Sequence, residues 1–182
     1  MLSYDGLTGD DRLGKLSAAK ALLADRDESA IELLERLAAD DPDEVTGASF
    51  RAVAARLRGI AEVERLFLDP ETDPRLARLL LSNYNSDLVP DAGDVRFLVL
   101  ALRTYVDRSL PWLDTLRQDL WDNGAYLILV GLTHASAMDQ LCSEPLAAER
   151  AALLPLLERV VQEDGDDDLV AEAHGLRDAL AG

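Results

Sequence analysis

The chain has 182 residues, enough for one core that buries about 70% of the unfolded surface, and 48% of them are hydrophobic, which excludes a disordered composition. Its 35 acids against 18 bases give a formal charge of −17, and only Lys15 and Lys20 among those bases are lysines. A basic patch that neutralises phosphates is not available on such a chain, so direct nucleic-acid binding is not expected.

The first residues have no basic flank followed by an apolar run, so no secretory leader is expected. Apolar spacing then predicts helices over 11–24 and 27–39, the second carrying the stripe Ile31, Leu34, Leu37 and Ala38. In Asp41-Pro42-Asp43-Glu44, Asp41 is the expected N-cap, Pro42 sits at the first helical position where its missing N–H is harmless, and Glu44 can close a capping box. That helix is expected over 42–58, followed by 60–68 and, behind Asp73-Pro74, by 74–84. Arg58 is spaced to pair with Glu62 one turn on.

The next segment, Ser82 to Asp94, reads as a long ordered loop, and loops of that length in compact domains often carry function. Asn83, Tyr84 and Asn85 are its candidate binding residues. Helices are expected over 92–107 and 110–120, then over 124–142 through the longest uncharged run, Asn123 to Met138. That run of 16 residues is too short and too polar to span a membrane, which needs about 20 apolar residues. A short strand at Tyr126 to Val130 is the competing reading. Helices over 145–163, kinked or split at Pro155, and 167–180 complete the chain, the last capped from the Glu163 to Asp168 turn.

The expected fold is therefore all-α, a single domain over 1–182 with about ten helices. Paired, they start near 11, 41, 73, 109 and 144, a near-regular period that suits stacked antiparallel α-hairpins, with an irregular helical bundle as the alternative. The segments DPRLARLL and DAGDVRFLVLAL resemble the acidic start and Val-Arg opening of inner helices in HEAT and armadillo repeats, which implies a solenoid with an extended binding surface.

Chemistry is sparse by comparison. On one continuous helix His134 would fall on the stripe Leu127, Val130, His134, Met138 and Leu141, as a core histidine or as the base of an interhelical pocket lined by Trp121 and Tyr126. Cys142 lies eight residues from His134, roughly 12 Å along a helix, so the two cannot form a nucleophile pair, and a buried structural thiol is expected. No HExxH, CxxC, phosphate loop or GxSxG occurs, so no cofactor, metal or catalytic residue is assigned.

The acidic, lysine-poor composition resembles that of proteins from a salty cytoplasm, though a high-GC genome supplies a similar bias. A cytoplasmic, non-catalytic helical-repeat module with a protein partner is the leading expectation: an adaptor, regulator or inhibitor. The alternatives are a small all-α enzyme or ligand-binding domain with its pocket near His134, and an acidic antitoxin or immunity-like protein that binds a basic partner.

Overall fold

A computed structural model describes residues 4–9, 11–82, 89–110 and 124–181. It is all-helical, with no strand among those residues, so Tyr126 to Val130 is helix rather than strand. Residues 111–120 of the expected helix over 110–120 and residues 83–88 of the Ser82 to Asp94 loop lie outside the described residues. Two compact units form, Met1–Asn83 and Tyr84–Gly182. No helix among the described residues is long and apolar enough to cross a membrane.

The first unit contains α1 (Arg12–Ala24), α2 (Ile31–Asp40), α3 (Glu44–Arg58), α4 (Ile60–Leu68) and α5 (Pro74–Ser82). Helix α3 is its centre and packs against the other four. It is suited to this because Thr46, Gly47, Phe50, Val53, Ala54 and Leu57 are all buried, which leaves apolar or small surface on more than one side. Phe50 and, from α4, Phe67 are fully buried, and each contributes about 1.5–3 kcal/mol of transfer free energy. Gly47 lets α2 come close: a Cβ there would stand 2.9 Å from the Ala38 carbonyl oxygen. Gly59, with φ of 114°, lets the chain turn directly from α3 into α4, and its N–H donates to the carbonyls of Ala55 and Arg56.

Two local expectations shift here. The N-cap of α3 is Asp43, which accepts from the Thr46 N–H at 3.3 Å and from the Thr46 hydroxyl at 2.6 Å, not Asp41. Asp41 turns back instead, accepting from the Asp43 N–H at 2.9 Å and from Lys15 Nζ at 2.6 Å, so it ties α1 to the start of α3. Arg58 likewise reaches across to Glu35 on α2 with two bonds of 2.9 and 2.8 Å, while Glu62 pairs with Arg65 on its own helix. A bidentate fork between helices competes well with a single-helix pair because both guanidinium donors are aligned at once.

The second unit contains α6 (Ala92–Val106), α7 (Gly124–Thr133), α8 (Ala135–Leu141), α9 (Ala147–Glu163) and α10 (Asp167–Ala181). Helices α6, α7, α10 and α9 pack in that cyclic order, α9 closing back on α6, and the short α8 touches α6, α7 and α9. Val95, Leu98, Leu102, Leu129, Leu157 and Leu169 are among the residues that fill the ring. Helix α6 opens with a full capping box: Asp94 N–H donates to Asp91 at 3.0 Å, and the Asp91 N–H donates to the fully buried Asp94 carboxylate at 2.8 Å.

Helices α1 and α6 end alike. After each, an arginine takes left-handed backbone angles, Arg26 at φ 53° and Arg108 at φ 50°. Paired bonds from Arg26 to Leu23 and Asp27 to Leu22, and from Arg108 to Tyr105 and Ser109 to Thr104, close a Schellman motif at a position that usually holds glycine.

Pro155 does not split α9, which runs unbroken through it. Both Pro155 and Ala151, whose carbonyl loses its helical partner, lie on the exposed face, where water replaces the missing bond at little cost.

The predicted helix over 124–142, by contrast, is broken. It ends at Thr133, His134 takes φ −57° and ψ 136°, and α8 starts afresh at Ala135.

Candidate functional site

Of the six candidate residues, Asn83, Tyr84, Asn85 and Trp121 lie outside the described residues. Tyr126 and His134 flank the apolar helix α7, Tyr126 half-buried in its first turn and His134 just beyond its last. Eight residues separate them, roughly 12 Å of helical rise, so the fold does not bring the two side chains to one point of chemistry.

The break at His134 overturns the continuous stripe. His134 is half-buried and acts as the N-cap of α8, its Nδ1 accepting from the Ser136 N–H at 3.2 Å. An imidazole that accepts at Nδ1 carries its proton on Nε2 when neutral, and so offers a donor, not a base, to a neighbour. To act as a base it would have to surrender the cap.

Around it, the Ser136 hydroxyl and the Gln140 amide both donate to the Pro90 carbonyl, at 3.0 and 2.8 Å. These bonds hold the first turns of α8 on the chain that leads into α6. Pro90 is buried while its carbonyl has no helical partner, and two donors on one carbonyl use both lone pairs.

Restarting the helix also changes what faces inward. Leu141 is fully buried, and Cys142, expected to be a buried thiol, is exposed as the C-cap of α8. Gly131 is buried, but Ala135 one turn on is exposed, so the two do not form one small-residue face.

Charge clusters that single-helix spacing does not reveal lie elsewhere in this unit. On α9, Arg159 donates to Asp107 at 2.7 Å, Glu163 at 3.3 Å and the Val106 carbonyl at 3.3 Å. The hydrogen bonds to Asp107 and Glu163 raise the pKa of this guanidinium. It borders a cleft lined by Tyr105, Val106, Arg108, Val160, Glu163 and Asp164, with room for about one water molecule. Inside it the Tyr105 hydroxyl donates to Asp164 at 3.0 Å.

A second cluster joins α9 to α10. Arg177 donates to Glu158 at 2.8 Å and to Asp178, and stands 3.0 Å from His174 Nε2, while His174 Nδ1 is 3.1 Å from Asp178. The bond from Arg177, then that from Gln162, holds the Glu158 carboxyl below its usual range. Of these contacts the Arg159 to Glu163, Glu158 to Gln162, His174 to Arg177 and His174 to Asp178 steps follow helical spacing and could be read from the sequence; the others cross between elements or join adjacent residues. Among the described residues, no group of three His, Cys, Asp or Glu side chains could hold a metal ion.

The Glu163 to Asp168 turn is a helix start. Asp166 accepts from the N–H groups of Asp168 and Leu169 at 3.0 and 3.1 Å, and Asp164 accepts from Asp166. These carboxylates satisfy backbone donors that a helix N-terminus leaves unpaired.

Comparison with protein families, with curated proteins and with solved structures gave no match for this chain.

Proposed function

We propose that the chain is a non-catalytic helical-repeat interaction module, an adaptor, regulator or inhibitor, that presents acidic helix faces to a protein partner with a basic surface. The observation that carries this reading is the charge distribution. Cations are committed to pairs that tie one element to another: Lys15 to Asp41, Arg58 to Glu35, Arg96 to Glu149, Arg159 to Asp107 and Arg177 to Glu158. With 35 acids against 18 bases, such pairing leaves a surplus of carboxylates on rigid helices, a field that steers a basic partner into encounter.

The repeat part of the reading is supported in the first unit. There α1, α3 and α5 begin at 12, 44 and 74, and α3 packs against both of the others. Side-by-side first helices are what stacked hairpins produce, although α1 and α2 pack mainly on α3 and not on each other as a hairpin pair would. A pocket centred on His134 is less favoured, because its Nδ1 is engaged in the cap.

The test is affinity capture of the tagged protein from its native extract at the organism's own salt, with mass spectrometry of what stays bound. A stoichiometric basic protein, released as salt is raised, is the expected result. A retained small molecule with no protein partner overturns the reading. A narrower form, an acidic antitoxin or immunity-like protein, rests on the same surplus of acids, and binding that persists in molar salt would remove its electrostatic basis.

A further inference from the structure

We draw no further inference here: the strongest candidate, the His174, Arg177, Asp178 and Glu158 cluster that joins α9 to α10, lies open to solvent with its charges already set against one another, and nothing in the structure shows a ligand or partner that it meets.

Discussion

Exchanging Gly47 for alanine should destabilise the protein, although the same exchange inside a helix ordinarily helps. Alanine is favoured over glycine by about 1 kcal/mol in a helix interior, and Gly175, in the middle of α10 with nothing within 4 Å of its would-be Cβ, should show that gain. At Gly47 the added Cβ stands 2.9 Å from the Ala38 carbonyl oxygen, a backbone atom that cannot rotate away. Helix α2 must move, and with it Leu34, which is fully buried. Overpacking of this kind costs about 1–3 kcal/mol, so after the propensity gain Gly47→Ala should lose about 1 kcal/mol net. Urea unfolding followed by circular dichroism, with Gly175→Ala alongside, reads both signs in one experiment. Stabilisation at both positions would mean that α2 and α3 do not approach as closely as described.

His134→Ala should cost about 1 kcal/mol as a lost cap, while His134→Asn should recover most of it; urea unfolding of the pair checks this, and an asparagine variant no better than alanine would show that Nδ1 is not capping α8. Arg108→Gly should stabilise by up to about 1 kcal/mol by relieving a left-handed non-glycine residue, and a lower melting temperature would refute that account of the turn. The hydrogen bond from Lys15, then the Asp43 N–H, holds the Asp41 carboxyl below its usual range. Since its folded pKa lies below the unfolded one, the stability it supplies is present above the unfolded value and lost as pH falls through the folded value. Lys15→Met should shrink that acid loss below about pH 4; melts across pH 2–6 in molar KCl, where self-repulsion is screened, would show an unchanged acid limb if the pair contributes nothing.

Helix identity was legible because two signals agree along most of the chain: apolar residues recur every three to four positions, and aspartate precedes the recurrence. Register at α3 was not, because Asp40, Asp41 and Asp43 all stand before the apolar run and only tertiary contact separates their roles. Lys15 takes Asp41, and Asp43 is left to cap.

The break at His134 was hidden for a different reason. From Gly124 to Met138 the run has no charge to mark a face, and histidine is not a residue that announces a helix start. Once the break is missed, Cys142 is assigned to the wrong side. Cross-helix pairs such as Arg58 with Glu35 have no signature in linear spacing, since many acids fall within reach of any arginine. Of the candidate site, only Tyr126 and His134 fall within the described residues, and His134 took on a backbone role that side-chain motifs do not encode.

The aspartates at helix starts give the acidity a second meaning. Asp11, Asp27, Asp43, Asp73, Asp91 and Asp166 each accept a backbone N–H at the opening of a helical segment. That chemistry needs an acceptor oxygen and gains only modestly from the charge. Asparagine offers the same oxygen, so exchanging these six would remove one unit each from the formal −17, leaving −11, with these six starts still capped. The protein's electrostatic field and its architecture can thus be varied separately, and a charge-ladder series built on these positions would ask how much of the acidity the folded chain needs for itself.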